Sequence, residues 1–302
     1  MPKAIVLTAY GQPDVLEWRD VRMPEPGPGQ IRIRVRAAGV GPTDLKIRSG
    51  EAPWFASPPD AILGFEVAGV VDALGRNVSG VEVGDEVASL LLGLGGYAEY
   101  VVLSSWTPKP QRVAWGDAAA LPSAAEAAVG TLKQLQLAGG ETLLVLGAAG
   151  SVGMVATQLG VFLGATVIGA TAPRDHAMVR DVGAVPVSYG SDLVKQVREI
   201  VPSVDAVLDA AGRGGLPDAI DLAGGSERVI TLADPNAVAL NVTFSAGTPA
   251  RAPEAVDQTM PLLASGALRL RRQRHLPLEK AAEAHRLLES GTVREKFVLD
   301  VR

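Results

Sequence analysis

The chain has 302 residues, a formal net charge of −5 and a pI near 5.4, with 47% hydrophobic and 20% charged residues. That length holds a sizeable core in one large domain or two modest ones, and the composition is that of a globular protein. Cysteine is absent, which excludes disulfides, thiolate catalysis and cysteine-based metal sites, and an acidic chain without a concentrated basic block is not built to bind nucleic acid by neutralising phosphates.

The first hundred residues read as β-rich. Ile31 to Ala37 alternates strictly, with Ile31, Ile33 and Val35 on one face and three arginines on the other, the pattern of a half-buried strand. Short apolar runs follow at 67–74, 87–92 and 97–103, punctuated by Gly and Pro, which suggests a compact barrel-like β domain. After Pro122 the pattern changes. Residues 123–137 read as a helix, 143–146 as a buried strand, 152–163 as an apolar helix, 166–170 as a strand and 173–182 as a helix. Further short strands are expected at 185–187, 206–208, 228–232 and 242–245. Alternation of this kind implies a parallel sheet covered by helices on both faces. The tail reads as a helix over 253–265, an extended segment over 267–276 that carries the basic cluster Arg269 to Arg274 on a solvated face, an amphipathic helix over 278–289 stopped by Gly291, and a last strand over 297–301. No apolar stretch suits a signal peptide or a membrane span, so a cytoplasmic protein is expected.

The most informative stretch is Leu143-Leu-Val-Leu-Gly147-Ala148-Ala149-Gly150-Ser151-Val152-Gly153. A buried strand enters a turn of tiny residues that opens a helix. Gly150 lets the backbone approach a pyrophosphate, Gly153 lets the helix pack closely on the strand, and the helix start offers free N–H groups and a positive dipole end. Three loosely spaced glycines alone are a weak signal in so glycine-rich a chain, and a mere packing turn is the competing reading. The strand-to-helix context favours a dinucleotide. The second strand ends at Thr171, where NAD sites usually place Asp or Glu, and Arg174 follows. A guanidinium can clamp a 2′-phosphate, which favours NADPH, although Asp175 beside it can pair with the arginine or repel the phosphate.

With these residues in view the chain resembles the zinc-free quinone oxidoreductases, the zeta-crystallin-like branch of the medium-chain dehydrogenase/reductase superfamily. The motifs that carry the resemblance are Lys3-Ala-Ile-Val, Val40-Gly-Pro-Thr-Asp44-Leu-Lys46-Ile-Arg-Ser-Gly50, Gly64-Phe-Glu66-Val-Ala-Gly69, Gly84-Asp85, Gly96-Tyr97-Ala98-Glu99-Tyr100, Ala120-Leu121-Pro122, the glycine turn, and Lys296-Phe-Val-Leu299. The resemblance implies an α/β protein with a GroES-like β-rich catalytic domain over residues 1–118 and 267–302. It also implies a Rossmann domain, a doubly wound parallel sheet, over 119–266, a substrate cleft between the two, and a homodimer formed through the edge of the Rossmann sheet. The implied NADPH contacts are Ala148, Gly150, Ser151, Val152, Gly153 and Thr171, with Arg174 and Tyr189 at the 2′-phosphate. Zinc-dependent relatives use Cys and His ligands; Phe65 stands where a ligand His would, and His176, His275 and His285 are scattered, so no family-type zinc site is expected.

The implied reaction is hydride transfer from NADPH to a quinone or to the β-carbon of an activated alkene, followed by a proton from water, Lys46 or Glu126. Lys46 and Glu126 replace a Tyr and a Thr of relatives, and Gly41 replaces an Asn, so the substrate is left open. A pathway-specific enoyl reductase acting on a polyketide or acyl-thioester is one alternative, and a non-catalytic NADPH-binding redox sensor is another. Glu126 also completes a Ser123-Ala-Ala-Glu126 capping box, in which it would bond back to the Ser123 N–H. Lys46, placed on a strand-to-loop segment, has solvation as its plainer reading. Asp44 is expected to bond nearby backbone, Tyr97 to pack in the core, and Trp54 and Phe55 to line a pocket or anchor a loop.

Overall fold

The computed structural model describes residues 1–52, 60–245 and 251–302, so Trp54 and Phe55 lie outside the described residues. The chain forms two compact units. One comprises Met1–Ser123, Val256–Ser265 and Arg272–Arg302; the other comprises Ala124–Ala255 and Gly266–Arg271.

The first unit is built on two sheets. The larger runs Gln273–Pro277, Lys296–Asp300, Ile31–Gly39, Glu66–Leu74, Glu86–Leu90 and Thr107–Pro108, with Tyr100–Leu103 also pairing on Ile31–Gly39. The smaller is Leu16–Asp20, Lys3–Leu7 and Ala61–Ile62. Ile31, Ile33 and Val35 are buried, as the alternation predicted, and register shifts at Arg32/Ile33 and Val35/Ala37 bend this long strand. Its core gathers Ile5, Ile33, Leu63, Tyr97, Phe297 and Leu299.

The second unit is a parallel sheet in the order Val185–Ser188, Thr166–Thr171, Thr142–Leu146, Ala206–Asp209, Val229–Thr231 and Thr243–Phe244. In chain sequence that order is third, second, first, fourth, fifth, sixth. It reverses next to Thr142–Leu146, which is where doubly wound folds bind nucleotides. A separate core forms around Leu144, Ile168, Val187, Val207, Leu216 and Val229.

Three local expectations change. The extended segment over 267–276 shrinks to the strand Gln273–Pro277. Residues 266–271 belong to the other unit, where the Gln158 amide donates to the Arg269 carbonyl at 2.9 Å and accepts its N–H at 2.8 Å. With both backbone groups taken by a side chain, Arg269 has none left for a strand ladder. The helix expected over 173–182 starts as a 3₁₀ turn, Pro173–Asp175, before the α-helix His176–Asp181. Lys46 lies in a helix, Pro42–Ser49, not between a strand and a loop. Proline in the first turn suits a helix start, Asp44 bonds back to the Gly41 N–H, and Gly50, at φ 85°, ends the helix in a conformation few other residues accept. No described helix is long and apolar enough to cross a membrane.

Candidate functional site

In the second unit the strand Thr142–Leu146 delivers the chain to Gly147, at φ 91°, and the turn closes with the Gly147 and Ala148 N–H groups on the Ala170 carbonyl and the Gly150 N–H on the Gly147 carbonyl. Gly150 is the N-cap of the helix Ser151–Phe162. The first-turn N–H groups, those of Ser151, Val152 and Gly153, therefore point out of the helix start without intrahelical partners. A Cβ on Gly153 would collide with the Gly147 carbonyl, so this glycine is demanded by packing. Ala148 is buried and its Cβ would stand 2.8 Å from a Cβ placed on Gly169, which shows how closely the turn lies on the second strand. The cradle fits a pyrophosphate: a turn of small residues leading into a helix start with free N–H groups.

Thr171 is buried at the end of its strand. Arg174 is exposed in the 3₁₀ turn, and its side chain takes no hydrogen-bond or ion-pair partner among the described residues. Tyr189 is half-buried; burial, the largest cause, pushes its hydroxyl up to about 12, against the opposing pull of Arg213 and of the Gly147 backbone. Tyr189 lines a cavity of about 300 Å³ with Leu146, Asp209, Arg213, Gly214 and Asp218. Asp209 is fully engaged, accepting from the Ala211 and Gly212 N–H groups at 2.9 and 3.0 Å and from the Thr231 hydroxyl at 2.8 Å. Sequence reasoning missed Asp209 and Arg213. The signal was present in Asp209-Ala-Ala-Gly-Arg213-Gly-Gly, a glycine-rich stretch at the carboxyl end of a central strand.

Glu126 does not close a capping box. The helix begins at Pro122, one residue earlier than expected, so Ser123 is inside it. The Ser123 N–H donates to Glu66 Oε2 at 2.9 Å, and Glu126 instead receives a bidentate guanidinium from Arg251, with Nε at 2.8 Å. Arg251 also donates to the Ser245 carbonyl and hydroxyl at 3.1 and 3.0 Å. Gly130, one turn on from Glu126, leaves the space that the Arg251 stem fills.

In the first unit, Asp44 is buried and accepts the Gly41 N–H at 2.8 Å and the Gly64 N–H at 3.1 Å, the backbone-fixing role expected of it. Burial pushes its carboxyl up to about 7, partly offset by those N–H groups and by Lys296. Lys296 pairs with Glu66, both nearly buried. Tyr97 is fully buried with its hydroxyl 3.3 Å from His285 Nε2, and burial holds His285 down to about 3. Lys46 is half-buried, and its ammonium has no polar partner among the described residues.

The described residues hold no group of three His, Cys, Asp or Glu side chains that could bind a metal. Phe65 occupies the expected ligand position, and the neighbouring Glu66 carboxylate is committed to Lys296 and the Ser123 N–H. Among the described residues, those present do not fit the zinc site of the dehydrogenases.

Comparison with known proteins agrees with this architecture. Residues 27–111 match the alcohol dehydrogenase GroES-like domain, and residues 182–299 match the zinc-binding dehydrogenase family. The chain is 30% identical to a quinone oxidoreductase of Pseudomonas aeruginosa over 94% of its own length and 95% of the relative's. It is 31% identical to 2-methylene-furan-3-one reductase of Solanum lycopersicum, over 98% of the chain and 78% of that protein. Among solved structures, Escherichia coli quinone oxidoreductase complexed with NADPH superposes with a TM-score of 0.87 at 25% identity, covering 99% of both chains. By its two-part architecture and these near full-length matches, the chain belongs to the medium-chain dehydrogenase/reductase superfamily, in its quinone oxidoreductase branch, and is an NAD(P)H-dependent oxidoreductase.

Proposed function

We propose that the chain uses NADPH to reduce a quinone or an α,β-unsaturated carbonyl compound. The observation that carries the cofactor reading is the turn at Gly147–Gly153, where a tightly packed glycine and an open helix start stand at the reversal point of the sheet. The names of the two relatives, one a quinone reductase and the other an enone reductase, support the substrate classes.

The residues divide the binding among them. Ser151, Val152 and Gly153 offer N–H groups to the pyrophosphate, with Ala148 and Gly150 keeping the approach narrow. Thr171, without a carboxylate, leaves the ribose end free for a phosphate, and Arg174, exposed and unpaired among the described residues, can turn onto it. Tyr189 stands on the neighbouring strand end as a neutral donor, its proton held firmly by burial. When bound, NADPH supplies hydride. A quinone or enone is already an electrophile, so no Lewis acid is needed to accept it. The reading extends to a homodimer paired through the edge strand Thr243–Phe244, where Phe244 and Val238 are exposed.

Fluorescence titration with NADPH and NADH in parallel, followed by turnover against a panel of quinones and enones, tests the proposal. NADPH-selective binding with turnover is the expected result. Absence of binding to either nucleotide refutes it.

A further inference from the structure

A 2′-phosphate carries about two negative charges near neutral pH. Arg174 alone meets such a group poorly, because Asp175 follows it directly in the chain and repels the same charge. The other implied contact, Tyr189, has the carboxylates of Asp175 and Asp209 acting on its hydroxyl, and the one cation acting on it is Arg213. Arg213 stands on the loop that follows the strand Ala206–Asp209. It lines the cavity of about 300 Å³ together with Tyr189, Gly190, Leu193 and Asp209, whereas Arg174 is not part of that lining. Every residue of the lining belongs to the second unit, which also carries the glycine turn.

The backbone that carries Arg213 is fixed on both sides. Before it, Asp209 Oδ1 accepts the Ala211 and Gly212 N–H groups at 2.9 and 3.0 Å. After it, Asp234 Oδ2 accepts the Gly214 N–H at 3.2 Å. Both carboxylates are buried, and Thr231 ties them together: its hydroxyl donates to Asp209 Oδ2 at 2.8 Å and accepts the Asp234 N–H at 3.0 Å. Gly212 sits at φ 60°, and a Cβ there would stand 2.6 Å from the Ala233 Cβ, so conformation and crowding both demand glycine. The Arg213 side chain is held by nothing. It is exposed and takes no hydrogen-bond or ion-pair partner among the described residues, although the half-buried Asp218 lines the same cavity. A fixed loop with an unengaged guanidinium needs no backbone ordering when an anion arrives, and such preorganisation favours binding.

We propose that Arg213 is a second cation for the 2′-phosphate of NADPH, joining Arg174 and Tyr189 at the adenosine end and setting the preference for NADPH over NADH. The assignment rests on the NADPH reading above and deepens it. Arg174 and Arg213 follow the strands Thr166–Thr171 and Ala206–Asp209, which flank Thr142–Leu146 in the sheet, so the two guanidinium groups approach from either side of the glycine turn. Together they balance the phosphate in spite of Asp175, each through charge-assisted hydrogen bonds. NADH has a hydroxyl in place of the phosphate and leaves Arg213 without a partner.

The test is Arg213→Ala, read by titration calorimetry with two pairs of ligands: NADPH against NADH, and 2′,5′-ADP against 5′-AMP. The second pair carries the adenosine end alone, so its binding owes nothing to hydride transfer or to any substrate. The expected result is a loss of about 10- to 100-fold in affinity for NADPH and for 2′,5′-ADP, with NADH and 5′-AMP unchanged. Arg213→Lys, which keeps a point charge but not the planar fork, should fall between wild type and Arg213→Ala. Retained affinity for 5′-AMP shows that the variant is folded; if Arg213→Ala loses it, Arg213→Gln, which keeps most of the side chain, takes its place. Wild-type affinity of the folded variants for 2′,5′-ADP overturns the assignment alone, and so does an equal loss for 2′,5′-ADP and 5′-AMP in Arg213→Gln, which would put Arg213 on the base or the loop. Wild-type protein that binds NADPH no better than NADH, or binds neither, overturns the NADPH reading, and this assignment with it.

Discussion

Glu126 is where a catalytic and a structural role can be separated by one substitution. Its carboxylate and the Arg251 guanidinium are 10% and 4% exposed, joined in a bidentate pair whose remaining arginine donor goes to Ser245. Glu126→Ala leaves a buried guanidinium without its counter-ion. Removing one partner of such a pair costs about 3–5 kcal/mol, most of it the penalty of the stranded charge. The second change, Arg251→Met, removes that charge and fills the space beside Gly130 with an apolar stem. The double variant should therefore recover most of the loss, since replacing a buried pair by well-packed apolar groups is near neutral. Denaturant midpoints of wild type, both single variants and the double variant give the cycle. The milder Glu126→Gln keeps a hydrogen bond, and per folded molecule it should turn over at close to the wild-type rate, whereas loss of a general acid costs about 10²–10⁴-fold. A Glu126→Ala midpoint equal to wild type, or a Glu126→Gln enzyme that folds and is inactive, refutes the structural assignment.

Three further outcomes are expected. Gly153→Val drives a side chain into the Gly147 carbonyl, so NADPH fluorescence titration should show binding lost in protein whose circular dichroism is retained or weakened. Arg174→Ala should weaken NADPH by about 1.5–3 kcal/mol, the worth of a hydrogen bond to a charged group, and leave NADH unchanged in the same titration; equal effects on both refute the 2′-phosphate role. The pH dependence of stability should show two buried groups in opposition. Asp44 binds its proton more tightly folded than unfolded, rising from 3.8 to about 7, so its contribution is full in acid and fades as pH climbs between those values. His285, lowered from 6.5 to about 3, contributes fully above 6.5 and loses that contribution as pH falls. Denaturant midpoints between pH 4 and 6.5 should be nearly flat for wild type, fall with acid in Asp44→Asn, and fall with alkali in His285→Gln.

The strand–turn–helix at residues 143–163 was legible because each step rests on near neighbours: an apolar run, a turn of small residues and an apolar helix. The strand at Ile31 was legible for the same reason. Glu126 was misread because its local pattern, Ser-x-x-Glu, is a true capping signature overruled by partners far along the chain, Arg251 for the carboxylate and Glu66 for the Ser123 N–H. Arg269 failed likewise, its backbone taken by Gln158. Lys296 entered the sequence reading only as part of a resemblance motif. Its ion pair with Glu66 joins the strands Lys296–Asp300 and Glu66–Leu74, which lie far apart in the chain and flank Ile31–Gly39 in the folded sheet. Arg213 shares a cavity with Tyr189 although they leave different strands, a juxtaposition set by the crossing order of the sheet.

The first unit borrows strands from both ends of the chain: Lys296–Asp300 lies between Ile31–Gly39 and Gln273–Pro277. Tyr100–Leu103 covers that edge only over Ile31–Arg34, so during synthesis the Ala37–Gly39 end of the strand must wait with its edge bare until Val298–Asp300 have been made. The second unit draws nearly all its residues from the continuous stretch 124–255 and can close much earlier. Closing so long a loop slows folding, and an unpaired edge invites strand addition by other chains. Refolding should accordingly proceed in two phases, with the slow one tracking burial of Phe297 and with yield limited by aggregation during that wait.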